Sequence, residues 1–260
     1  MNYGPLWLIP IFLIGFLVVH LAKMTRLYLV LMEQNIGLGK FILLYLRTTF
    51  VNLLIPFKLG EIYRIYSISR ETGVWQVGVL SILVDRFFDI IGLFIVLLHF
   101  DFFIRGSIST ITGIFLVVIV LLVCLYKVFM PTYNYLNEYL IVHKHSKRSM
   151  VSLRGLDIGR EWFLFVKGLI RGRYALIIGT SLCGWLVEVA ALKAFAMYMG
   201  ITFGITDFPD YIKAIFASGN SELLSYYSLV SAALIGVITI IGYVFYLAER
   251  SKNRAGGNRA

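Results

Sequence analysis

Arg47-Thr-Thr-Phe-Val-Asn52-Leu-Leu-Ile-Pro56-Phe-Lys58-Leu-Gly60-Glu61-Ile-Tyr-Arg64, with Asp85-Arg86-Phe-Phe-Asp89 further on, decides how the chain reads. Charges of both signs stand here inside strongly apolar sequence. Around them the 260 residues are 59% hydrophobic and only 15% charged, with mean hydropathy +0.84. A soluble domain carries about 25% charged residues, so the chain reads as an integral membrane protein. Alternation over about ten residues, the mark of an outer-membrane barrel, is absent. Apolar runs near the roughly 20 residues of a spanning helix take its place. The class is all-α, and a charge embedded in such a helix usually marks function.

Five runs are long enough to span: 5–22, 76–100, 108–130, 175–200 and 224–248. Lys23 and Arg26 follow the first at once and read as its positive inner flank, which puts the N-terminus outside. The first run has no positive n-region and no small-residue cleavage site, so a retained helix is expected rather than a signal peptide. Residues 23–40 read as interfacial. Residues 41–57 are apolar but are broken by Arg47 and Asn52 and end at Pro56. If they spanned, Lys23, Arg26 and Lys40 would lie across the membrane from Lys58, Arg64 and Arg70. A re-entrant hairpin keeps all six on one side, as the charge rule prefers. Such backbone is tolerated only beside protein or a water-filled cavity, so a cavity is expected with it.

Residues 131–174 form the main polar segment and read as a basic cytoplasmic loop with an amphipathic helix over 158–170. Residues 201–223, with Asp207, Pro209, Asp210 and Ser218-Gly219-Asn220-Ser221-Glu222, are too polar to span and suit a second re-entrant segment. The expected architecture is about five transmembrane helices plus two re-entrant segments. Residues 1–249 form one transmembrane domain, and 250–260 form a basic cytoplasmic tail. Span, broken segment, span occurs twice in opposite senses, an order that an inverted repeat with a midplane site would produce.

The net charge of +10 fits inside-facing loops against anionic headgroups. Nucleic acid is not expected, because aromatic residues do not interleave with the basic loop. Cys124 and Cys183 lie within apolar runs and read as inert core residues. His143 and His145 read as solvated loop histidines; no metal and no cofactor is expected.

Arg47, Lys58, Arg64 and Arg86 offer four cations to one apolar groove, and guanidinium groups take phosphate through two N–H bonds. Glu61, Asp85 and Asp89 would orient those cations or take a proton. Asn52 and the Pro56–Gly60 break free backbone groups. On the helix over 76–100, Gly78, Ser81, Asp85, Asp89 and Gly92 fall on one narrow face, with Arg86 at its margin. Glu188, with Ser181, Gly184 and Ala191 roughly on its face, is a further candidate. The plainer alternative is that these charges pair among themselves and fix helix packing. No Gly-rich phosphate loop, no CDP-alcohol phosphotransferase aspartate pattern and no lipid-phosphatase histidine set is present, so an enzyme is not expected.

Asn52-x3-Pro56-x-Lys58-x-Gly60-Glu61-x2-Arg64 with Asp85-Arg86-x2-Asp89-x2-Gly92 resembles the transmembrane region of the lysylphosphatidylglycerol synthase family. Trp185-x2-Glu188 is a second, weaker point of likeness. The soluble aminoacyl-transfer domain of the bifunctional members is missing. The family's second motif, of Pro-Gly-Gly-x-Gly-x-x-Glu type, is reduced here to little more than Gly219 and Glu222. The resemblance implies a flippase-like protein of a prokaryotic cell membrane that binds an anionic lipid headgroup, on a phospholipid or a polyprenyl-phosphate-linked lipid. Its site would hold Arg47, Asn52, Lys58, Glu61, Arg64, Asp85, Arg86, Asp89 and Glu188. The other reading is a non-transporting accessory that holds a glycosyltransferase or lipid-modifying enzyme through the basic 131–174 loop.

Overall fold

The computed structural model describes residues 4–55, 59–143, 147–217 and 221–257. Among these there is no strand; the chain is helical nearly throughout. Five helices are long and apolar enough to cross a membrane: α1 (Leu8–Leu31), α4 (Trp75–Phe100), α5 (Thr110–His143), α7 (Tyr174–Met199) and α9 (Glu222–Gly257). Four others connect them: α2 (Leu38–Leu54), α3 (Leu59–Thr72), α6 (Lys147–Ile170) and the ten-residue α8 (Phe208–Ala217). The protein is a multi-pass membrane protein.

α1 and α7 pack antiparallel along their length. At one end the Gly4 N–H donates to the Tyr198 carbonyl (2.7 Å). At the other, Arg173 donates to the Leu29 carbonyl (3.2 Å) and to Glu33 (2.6 Å). Between them Gly15 meets Ala191 and Gly184 meets Ala22. In lipid no hydrophobic force draws helices together, so small residues that let backbones approach do that work. α4 joins the pair through Gly92, whose Cα lies so close to the Ser181 backbone that a Cβ would collide.

α1 does not end where a positive flank should begin. It continues through Lys23 and Arg26 to Leu31, so Arg26 is buried in the bundle and Lys23 half-buried. Spaced three apart they share a face, and each meets a carboxylate there, which removes the reason to leave the membrane.

α2 and α3 form an antiparallel helical hairpin. Lys40 lies 3.8 Å from Glu71 at its open end, Arg64 lies over the Tyr45 ring, Arg47 over the Tyr63 ring, and Gly60 presses on Asn52 near the turn. The hairpin starts a few residues after α1 and ends two before α4, where Gly73 takes φ +73°. Its two ends therefore sit together at one end of the bundle. Its α2 side packs on α9, with Phe50 on Gly236. Pro56 and Lys58 lie outside the described residues, as do Gly219 and Asn220 of the second expected re-entrant segment.

One expectation gains detail and one is corrected. Of the 131–174 segment, residues 131–143 continue α5, and the helix expected over 158–170 is the latter part of α6. α5 runs straight through Pro131, and α6 packs back on it: Tyr126 and Phe129 stack on Phe163, and the Tyr133 hydroxyl donates to Asp157 (2.9 Å). A proline removes one intrahelical bond without ending a helix whose neighbour holds it on both sides of the break. Cys124 and Cys183 are exposed, not core. The outer face of a membrane helix is as apolar as its inner face, so an apolar run does not say which way a cysteine points.

At the far end, α4 passes through a π-helical turn, Asp101–Arg105, into Gly106 at φ +66°. Asp101 then clamps the start of α5, accepting from the Ser109 N–H (2.8 Å), the Ser109 hydroxyl (2.7 Å) and the Thr112 hydroxyl (2.6 Å). Asp101→Ala should cost about 1.5–3 kcal/mol, the range for hydrogen bonds to a charged group. Thermal unfolding in detergent checks this; an unchanged Tm would show that the clamp contributes nothing.

Candidate charge-network site

Sequence alone left Arg26 as a flank. The structure makes it the centre. Its Nε donates to Asp85 Oδ1 (2.7 Å) and Nη2 to Asp85 Oδ2 (3.4 Å), the two-bond geometry that only a guanidinium offers. Its Nη1 donates to Asp89 Oδ1 (2.5 Å) and to the Ser181 hydroxyl (3.1 Å). One buried side chain thus binds α1 to α4 and α7. Nothing in local composition distinguishes Arg26 from an inner flank, but the apolar run Leu27–Leu31 beyond it was the available signal.

From this centre the network extends both ways. Towards α7 and α9, the Trp185 indole N–H donates to Asp89, and Lys23 lies over that ring and pairs with Glu188 at 2.7 Å. The Tyr227 hydroxyl of α9 donates to the other Glu188 oxygen (3.0 Å). Glu188 is therefore held on both sides. Towards α3, Arg64 stands 3.9 Å from Asp85, and Arg86 pairs with Glu61 (2.8 Å) and Asp89 (3.4 Å).

Glu61, Arg64, Asp85, Arg86, Asp89 and Glu188 thus come together as one network. Asp85 and Ser81 are fully buried and Gly92 nearly so, as the helical phase of 76–100 requires. Arg47 does not join; it is exposed, over the Tyr63 ring. Asn52 supports the hairpin turn against Gly60 rather than a charge. Lys58 lies outside the described residues. No group of three or more potential metal ligands occurs among the described residues.

The two sides of the network differ. Every Arg26 nitrogen has a partner, as do both Glu188 oxygens. On the α3–α4 side, Arg64 Nε, Arg86 Nε, Glu61 Oε2 and Ser67 Oγ are buried without one among the described residues. Buried polar atoms are normally satisfied, and leaving one unmade costs about 1–3 kcal/mol. Three of these atoms are donors, Arg64 Nε, Arg86 Nε and Ser67 Oγ, and one, Glu61 Oε2, is an acceptor.

The model of the lysylphosphatidylglycerol synthase transmembrane region matches residues 1–209. The chain belongs to that family. Neither the curated proteins nor the solved structures include a match to it. Membership of the lysylphosphatidylglycerol synthase transmembrane-region family fits a role connected with membrane lipid. The match takes in every charged member of the network and stops inside α8. α9, which brings Tyr227, lies beyond it, as do Gly219 and Glu222.

Proposed function

We propose that this protein is a lipid translocase that receives an anionic lipid headgroup at the α3–α4 seam while the acyl or prenyl chains stay in the bilayer. The seam of unpartnered Arg64 Nε, Arg86 Nε, Ser67 Oγ and Glu61 Oε2 carries this reading. Two arginine N–H groups and a hydroxyl form a donor set suited to a phosphate. α2 and α3, leaving and returning at one end of the bundle, are a re-entrant hairpin in this reading. The network around Arg26 is the fixed wall; the seam is the side that opens.

A leaflet-resolved assay in proteoliposomes tests it. Purified protein should move short-chain anionic phospholipid faster than empty vesicles do, and Arg86→Ala should reduce the rate at least tenfold. Movement no faster than in empty vesicles, or an Arg86→Ala rate equal to wild type, defeats the reading.

One observation favours the accessory reading. α5 has 34 residues, about 50 Å at 1.5 Å per residue, against about 30 Å of hydrocarbon. Its far end and α6 therefore project as a pair, with Tyr135, Ile141, Met150 and Val151 exposed, a surface a partner enzyme would cover. Under that reading Arg154→Glu with Lys167→Glu abolishes function in cells while Arg86→Ala is tolerated.

A further inference from the structure

The network is electrically closed. Lys23, Arg26, Arg64 and Arg86 stand against Glu61, Asp85, Asp89 and Glu188, four charges of each sign linked by ion pairs. An anion entering the seam leaves this buried set one negative charge in excess. A buried charge without a counter-charge costs several kcal/mol, and the burial of Arg26, Arg64 and Asp85 keeps water from screening it. A proton is the smallest species that restores neutrality.

The geometry also selects where the proton goes. Asp85 is gripped by Arg26 through two bonds, Asp89 by Arg26, Arg86 and Trp185, and Glu188 by Lys23 and Tyr227. Among the described residues Glu61 pairs with Arg86 alone, and its Oε2 has no hydrogen-bond partner. Its side chain is also the most accessible of the four acids, 21% exposed against 14% for Asp89, 10% for Glu188 and 1% for Asp85. Around it α4 supplies Arg86, Asp85 and Asp89, α3 supplies Arg64, and α1 supplies Arg26 across Asp85. α2 brings Asn52 against Gly60 and carries Arg47 over Tyr63.

We propose that the protein takes up one proton with each anionic headgroup, the proton settling on Glu61 as Arg86 turns from that carboxylate to the phosphate. This rests on the headgroup reading above and adds its coupling. The phosphate accepts from Arg86 and Arg64; the Glu61 carboxylate gains a proton from solvent; the net buried charge stays at zero. Headgroup movement is thereby tied to proton movement, and a proton gradient biases its direction.

Calorimetric titration of the purified chain in detergent with dihexanoyl phosphatidylglycerol, in two buffers of different ionisation enthalpy, counts the protons. One proton taken up per lipid is expected, with Kd rising towards tenfold per pH unit. Dihexanoyl phosphatidylcholine, which carries its own cation, should bring no proton with it. Glu61→Gln should bind the anionic probe with a proton count of zero and a Kd flat in pH. Anionic lipid bound by wild type without proton uptake overturns the coupling and leaves the headgroup reading standing. A proton taken up with phosphatidylcholine overturns charge balance as its cause, and a Glu61→Gln protein still taking one proton overturns Glu61 as its seat. Failure of wild type to bind phosphatidylglycerol overturns both.

Discussion

Arg26→Met is expected to destabilise the protein by about 3–5 kcal/mol, the range for removing one partner from a buried ion pair. The methionine fills most of the volume, so the loss is electrostatic: Asp85 and Asp89 keep their charges, with Arg64 and Arg86 facing them at 3.4–4.0 Å and Lys23 acting on Asp89 from further off. A second change makes the test specific. Arg26→Met with Asp85→Asn restores charge balance and should recover a large part of the loss, even though it removes another hydrogen-bonding group. Thermal unfolding of wild type, the single and the double variant in one detergent measures both effects. A single variant as stable as wild type would mean that Arg26 is a passenger, and a double variant worse than the single would mean that balance is not what matters.

The second large effect is steric. Gly92→Val pushes a branched side chain into the Ser181 backbone, where α4 and α7 touch. Overpacking of this kind costs about 1–3 kcal/mol, and here it also parts Ser181 from Arg26. Gly113 in α5 faces open space, so Gly113→Val is the matched control and should change Tm little. Equal Tm shifts for the two variants would remove the close approach as an explanation.

Much of this was legible in advance, and for identifiable reasons. The class and the number of apolar helices follow from composition and run length, because the bilayer fixes the length a span must have. The Gly78, Ser81, Asp85 and Gly92 stripe followed from the helical period alone. The α2–α3 hairpin differs from the one that charge counting gives: a turn-back within 41–57 would leave six cations on one side, whereas the described chain runs as helices over 38–54 and 59–72 and carries Lys23 and Arg26 within α1. Arg26 and Lys23 were misread because the positive-inside rule treats any cation after an apolar run as a flank. Their partners, Asp85, Asp89 and Glu188, are far away in sequence, and no local pattern reports such a pair. Arg47 stands apart from the ion-pair network for the converse reason: apolar neighbours in sequence do not distinguish a side chain aimed into the bundle from one aimed out of it.

The separation of those partners has a consequence for how the chain is made. Arg26 meets Asp85 across 59 residues and Lys23 meets Glu188 across 165. At roughly 5–20 residues per second of synthesis, Arg26 waits about 3–12 s for its first carboxylate, and Lys23 longer still. During that wait the long basic side chains hold their heads at the lipid–water boundary, so the newborn first helix rests shallow, threaded only as far as its cations allow. It reaches final depth when the later helices arrive to neutralise it. The first span of this protein is thus inserted early and seated late.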